Sequence, residues 1–145
     1  MSRVIGLDHG SRRIGVSVGD TETGMAFARP AIRRRNLADD IAFIDGLVLA
    51  ESAEAVVVGL PLNMDGSEGA QAAAVRTFGE QLTARGLTIA YHDERLSSWE
   101  AGERLEEAGR RPRRETGERD STAARLILQQ YLDARRLSGM AEETE

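Results

Sequence analysis

Hydrophobic positions change their spacing along this chain, and the changes divide it into elements. Val4, Ile5 and Leu7 form a short apolar run closed by Gly10 and Ser11; Ile14, Val16 and Val18 then alternate with small or polar residues. Period-two alternation marks a strand with one face buried. Gly19 to Gly24 supplies a second turn and Met25 to Ala31 a third strand, so the opening segment predicts an antiparallel meander. From Asn36 the period lengthens. Leu37, Ile41, Ile44, Leu47 and Val48 fall on one helical stripe behind a residue suited to capping. Ala55 to Leu60 is a continuously apolar run rich in valine, as expected of a strand covered on both faces.

A loop rich in Pro, Asn, Asp and Gly, from Pro61 to Gly69, leads into a second helix with Ala70, Ala74, Phe78 and Leu82 as its apolar positions, ended by Arg85 and Gly86. Leu87 to Tyr91 reads as the fifth strand. Ser97 and Glu100 stand at capping-box spacing and open a third helix that ends near Gly109. An arginine-rich loop with Pro112 and Gly117 follows. The last helix runs from about Asp120 to Arg136, with Ala124, Ile127, Leu128, Tyr131 and Leu132 facing inward. The order βββαβαβαα predicts an α/β domain on a five-stranded mixed sheet: three antiparallel strands, then crossover units adding two parallel ones. A single domain over residues 1–137 and an acidic, disordered tail over 138–145 account for the 145 residues.

Composition narrows the chemistry. Cysteine is absent, which excludes disulfides, thiolate metal sites and thiol catalysis. Carboxylates, His9, His92 and hydroxyls remain. No apolar stretch approaches the roughly 18 residues a membrane span needs, and no secretion signal opens the chain, so the expected location is the cytoplasm, away from membranes. The net charge of −5 argues against a polyanionic partner, but its distribution does not. All 19 basic residues are arginine. They gather at Arg33 to Arg35 and at Arg110, Arg111, Arg113 and Arg114, while Glu142, Glu143 and Glu145 crowd the tail. Screening confines each patch to about 8 Å at physiological salt, and arginine forks match phosphate oxygens well.

Acids stand at three places where such a sheet exposes them. Asp8 follows the first apolar run, Asp93 and Glu94 follow the fifth strand, and Asp120 opens the final helix. Parallel first and fifth strands would share a C-terminal edge, where open α/β sheets place ligands. Carboxylates gathered there repel one another unless a cation lies between them, and hard oxygen donors select Mg²⁺ or Mn²⁺. Each acid also has a purely structural reading. Asp8 before Gly10 is a turn composition. Asp93-Glu94-Arg95 is equally a solvated charge cluster, and Asp120 is equally a helix cap. Gly6, Gly10 and Gly15 fit either tight turns or backbone approaching a phosphate, and His9 and His92 read as polar neighbours rather than ligands.

Four ordered motifs resolve into a familiar set. Leu7-Asp8-His9-Gly10-Ser11-Arg12-Arg13-Ile14-Gly15-Val16 resembles the opening motif of the YqgF family, also called RuvX, of pre-16S rRNA nucleases that resemble Holliday junction resolvases. The similarity continues through Val58-Gly59-Leu60-Pro61-Leu62-Asn63-Met64-Asp65-Gly66-Ser67 and His92-Asp93-Glu94-Arg95-Leu96-Ser97-Ser98. It closes with Asp120-Ser121-Thr122-Ala123-Ala124 and Ile127-Leu128-Gln129-Gln130-Tyr131-Leu132. The resemblance implies a ribonuclease H-like fold and places the family's acidic triad at Asp8, Glu94 and Asp120. It further implies 5′-end maturation of pre-16S rRNA. One departure is visible: family members often carry lysine two residues before the last acid, where this chain has Glu118.

On that basis the expected enzyme is a divalent-metal-dependent endonuclease, with Asp8, Glu94 and Asp120 holding Mg²⁺ or Mn²⁺ and a water activated by the ion as nucleophile. Arg12, Arg13, Asn63 and Arg95 are the expected nucleic-acid contacts beside the bond, with Arg110, Arg111, Arg113 and Arg114 tracking the backbone. The partner is precursor rRNA or branched DNA, and the protein a monomer or homodimer, since symmetric cutting of a junction calls for two copies. Two competing readings share the sequence features: an actin- or sugar-kinase-like ATPase, whose second lobe does not fit this length, and a non-catalytic ribosome-assembly module, which would gain little from clustered acids.

Overall fold

The structure is a computed structural model that describes residues 2–94 and 118–143, with the side chains of the last helix described over 122–137. The meander forms as the alternation predicts. Strand β1 (Arg3–His9) pairs antiparallel with β2 (Arg13–Asp20), and β2 with β3 (Met25–Arg33). Strand β4 (Ala53–Leu60) lies parallel to β1, and β5 (Ile89–Asp93) parallel to β4, giving the order β3-β2-β1-β4-β5. The strands reach further than the apolar runs because ladder pairing recruits polar ends, such as Arg3 opposite Asp20. The second turn is accordingly shorter than predicted: Asp20 belongs to β2, and Gly24, at φ 69°, closes the turn.

Two helices cover one face of the sheet. Helix α1 (Leu37–Glu51) starts where the sequence places it, with the Asn36 side chain accepting the Asp39 N–H at 2.8 Å. Its Ile41 and Ile44 enter a core with Ile5, Leu7, Val56 and Val58, to which α2 (Ala70–Ala84) adds Val75, Phe78 and Leu82. The predicted stripe of α2 is corrected here. Ala70 and Ala74 are exposed, and the buried row is Ala72, Val75, Phe78, Gly79 and Leu82. A helix start crowded with alanine carries no directional signal of its own; the larger Val75 sets the face. Gly79 is required because a Cβ there would collide with the Tyr91 hydroxyl on β5.

Helix α3 (Glu118–Glu143) covers the opposite face, packing Ile127, Leu128 and Leu132 on Val4, Ala55 and Val57. It sits close because the sheet beneath it is small. Gly6 lies under the Ala124 carbonyl and Leu128, and Gly19 under Leu128 and Leu132. The buried Ser17 hydroxyl donates to the Ala124 carbonyl at 2.8 Å, fixing the helix along its axis. The helix is longer than its apolar periodicity at both ends: residue 120 lies within the first turn rather than capping it, and the backbone stays helical past Arg136 to Glu143. The helix predicted over 97–109 and the arginine loop after it fall outside the described residues.

Candidate nuclease site at the C-terminal edge of the sheet

Because β1, β4 and β5 run parallel, their C-terminal ends meet on one edge. Strand alternation puts Val4, Gly6 and Asp8 on the α3 face, and Ile5, Leu7 and His9 on the other. Asp8 sits opposite Gly15 of β2 and is half-buried. Glu94 directly follows β5 and is also half-buried. Leu7 registers with Val58, and Gly59 with His92, so Asp8 is level with Gly59 of β4 while Glu94 stands two residues beyond it, on the same face. A Cβ at Gly59 would lie 2.8 Å from Cγ and 3.0 Å from Cδ of Glu94. The glycine is therefore the space that lets the Glu94 carboxyl lie across β4 toward β1. Two strand spacings of about 4.8 Å separate β1 from β5, and Asp and Glu side chains close part of that distance.

The start of α3 arrives over the same edge. Ala124 rests on Gly6 while Leu132 rests on Gly19, so the helix runs back along β1 with its first turn toward Asp8. Position 120 is one turn, about 6 Å, upstream of Ala124, and Asp8 is two strand residues, about 6.6 Å, beyond Gly6. Backbone geometry thus brings position 120 to the edge that carries Asp8 and Glu94, while its side chain lies outside the described residues. Among the described residues no three His, Asp or Glu groups form a metal-binding cluster. The donor set nonetheless fits a hard divalent ion: two half-buried carboxylates on one face, across a position kept free of a side chain.

The loop after Asp8 is held from below. The Gly10 N–H donates to the Arg13 carbonyl at 2.9 Å, and a Cβ at Gly10 would sit 2.7 Å from that oxygen, so this glycine makes a tight turn. Arg34 donates to the Gly10 carbonyl at 3.2 Å and pairs with Asp40 at 3.4 Å; Asp40, only 3% exposed, also accepts the Arg35 N–H at 3.1 Å. Sequence reading placed Arg34 in a basic cluster and missed Asp40, because an acid in a first helical turn looks like an ordinary dipole partner. Replacing Asp40 by Ala leaves Arg34 without this carboxylate and takes the acceptor from the Arg35 N–H. Urea denaturation should show a loss of about 2 kcal/mol, with Asp40→Asn recovering part of it.

His9 packs its ring on Phe78 at 4.7 Å and is buried, with Nε2 lacking a partner among the described residues. Burial, then the nearby Arg34 charge, hold its pKa below the usual histidine value, against a smaller opposing pull from Asp40. The ring belongs to the apolar core on the α2 face, a place the sequence did not assign to it. His92 bonds the Gln130 side chain at 2.7 Å and ties β5 to α3. Of the expected nucleic-acid contacts, Arg12 is exposed in the turn just after Asp8, and Arg13 begins β2. Asn63 spends its amide inside its own loop, donating to Ser67 Oγ at 3.0 Å. Arg95, Arg110, Arg111, Arg113 and Arg114 lie outside the described residues.

A meander followed by parallel crossover strands, with a helix returning over the first strand, defines a ribonuclease H-like fold. Among solved structures, Thermus thermophilus RuvC in complex with a Holliday junction superposes with a TM-score of 0.59 at 15% identity, covering 94% of this chain and 96% of that one. The large terminase nuclease of phage G20c gives 0.56 at 17% identity over 88% and 80%. The RuvX family, described as Holliday junction resolvase, matches residues 2–134, and this chain belongs to it. Its class is accordingly that of a nuclease. A Moorella thermoacetica protein named as a candidate pre-16S rRNA nuclease is 47% identical over 90% of this chain and 94% of its own length. A protein of the same name from Pseudomonas putida is 39% identical over 90% and 94%. Among the described residues no helix is long and apolar enough to cross a membrane.

Proposed function

We propose that this chain is a divalent-metal-dependent endonuclease that hydrolyses a phosphodiester in the 5′-end maturation of pre-16S rRNA, with Asp8, Glu94 and Asp120 holding Mg²⁺ or Mn²⁺. The observation that carries the reading is the pair of half-buried carboxylates, Asp8 and Glu94, flanking Gly59 on the face that α3 covers. When bound, such an ion neutralises the acids, activates water and stabilises the leaving oxygen. The chain itself orients: the Gly10 turn and the Arg34–Asp40 anchor fix the end of β1, and Arg12 and Arg13, in and just after the turn that follows it, are the proposed phosphate contacts. The names of the curated relatives support the rRNA substrate. The family description and the fold shared with RuvC support a second reading, cleavage of branched DNA. One preparation offered precursor rRNA and a four-way DNA junction, with and without Mg²⁺, decides between them. Preferential metal-dependent cutting of the rRNA 5′ region supports the first, cutting of the junction alone the second, and cutting of neither removes both.

Arg110, Arg111, Arg113 and Arg114 are the expected backbone contacts. Changing all four to Gln should reduce the slope of log Kobs against log salt by up to about 3 on a single strand, at roughly 0.7 per phosphate contact. An unaltered slope in filter binding would clear that segment of the role.

A further inference from the structure

The most exposed large apolar residue among those described is Met64, 91% accessible, and it does not sit on a loose loop. Leu62 and Glu68 pair as an antiparallel bridge, the Asn63 N–H donates to the Ser67 carbonyl at 2.8 Å, and the Gly66 N–H to the Asn63 carbonyl at 2.8 Å. Gly66, at φ 87°, closes the hairpin in the left-handed region that such three-residue loops use. Asp65 accepts from the Ser67 N–H and hydroxyl, and Asn63 donates to the same hydroxyl. At the foot, Glu68 makes a two-bonded pair with Arg76, whose guanidinium stacks 4.9 Å over the Tyr91 ring of β5. The result is a short, cross-linked finger with a thioether at its tip.

A single exposed apolar side chain is ordinary on a protein surface. Its place is what gives this one a function. The finger rises from the C-terminal end of β4, the strand between those that carry Asp8 and Glu94, with its foot tied to α2, and the chain allows its tip at most about 17 Å from Gly59. The Asp65 carboxylate next to it repels phosphate, so the tip is unsuited to a backbone contact. A polarisable thioether held outward on a rigid turn suits the flat face of a base, and apolar side chains of this kind wedge between base steps. We propose that Met64 stacks on an unpaired nucleobase beside the bond that is cut, holding the strand open over the acidic edge. The inference rests on the nuclease reading above.

The test uses the full chain with Met64→Ala and Met64→Gln. The probes are a precursor rRNA oligonucleotide and a four-way DNA junction, each with 2-aminopurine beside the cut. Bound by the cleavage-defective Asp8→Asn protein, the substrate that this enzyme cuts should brighten as the probe base unstacks; adding Met64→Ala should remove the brightening. In the otherwise wild-type chain, Met64→Ala should lower kcat/KM for the same substrate by about fivefold or more, as loss of one stacking contact does, with an unchanged melting temperature and salt slope. Met64→Gln should fall between. Cleavage and fluorescence both indifferent to Met64→Ala, on a substrate still cut by the wild type, overturn this assignment alone. A wild-type protein that neither binds nor cuts either probe overturns the nuclease reading as well.

Discussion

Asp8→Asn should lower metal-dependent cleavage about a thousandfold while the protein still folds. Polarisation by a bound ion contributes several kcal/mol to such a reaction, and each factor of ten in rate is about 1.36 kcal/mol. Asparagine matches aspartate in shape, and position 8 is half-buried on a strand whose ladder to Gly15 is made by backbone groups. The melting temperature in chelator should therefore change little. The sharper readout is the response to manganese. An ion that binds only the folded state adds about 2.7 kcal/mol of stability at a hundred times its dissociation constant. The wild type should gain that stabilisation as Mn²⁺ is titrated in, and Asp8→Asn should not. A merely structural Asp8 predicts the reverse: lost stability in chelator and no difference in the metal response. Undiminished Mg²⁺-dependent cleavage by Asp8→Asn would end the proposal for the site.

Much of this arrangement is readable from residue order, and the unreadable parts share a cause. Period-two alternation over Ile14, Val16 and Val18 is a local property, and so is the Asn36 cap; both appear in the structure as the sequence implies. The parallel placement of β1 and β5 follows from the number of crossovers and the tendency of connections to stay short and right-handed. What escapes is whatever depends on a neighbour distant in sequence. Gly59 reads as one more apolar-strand residue until Glu94 is seen lying across it. Ser17 reads as a polar strand position, yet it is fully buried and bonded to a helix more than a hundred residues later. Arg34 reads as part of a basic run, and only the tertiary fold turns it inward onto Asp40. Asp8 and Glu94 could be nominated as chemistry-bearing acids, but spacing could not put them on one face of one edge; the register of β1, β4 and β5 does.

The seating of α3 leads to the second large effect, and it joins stability to function. Gly6→Ala should destabilise the protein by about 2–3 kcal/mol and slow cleavage even where the protein remains folded. A Cβ at position 6 would sit 2.7 Å from Cβ of Leu128 and 3.0 Å from the Ala124 carbonyl, and would also press on the Ser17 hydroxyl. Two of these obstacles are backbone or the first atom of a side chain, which cannot swing aside, so the helix must lift. Lifting it thins the contact of Ile127, Leu128 and Leu132 with the sheet and breaks the Ser17 bond to Ala124. It also displaces position 120 relative to Asp8. A shift of about 1 Å in a group that takes part in the chemistry can cost on the order of a hundredfold in rate. Gly46→Ala in α1 is the matched control, since nothing lies within 4 Å of a Cβ there and the residue is in a helix interior. That substitution should stabilise by about 0.5–1 kcal/mol and leave the rate alone. Denaturant titrations and single-turnover cleavage of both variants, well below their melting temperatures, separate the terms. Gly6→Ala behaving like Gly46→Ala in both measurements would show that α3 does not rest on β1 through this glycine, and would remove the support for the proposed role of Asp120.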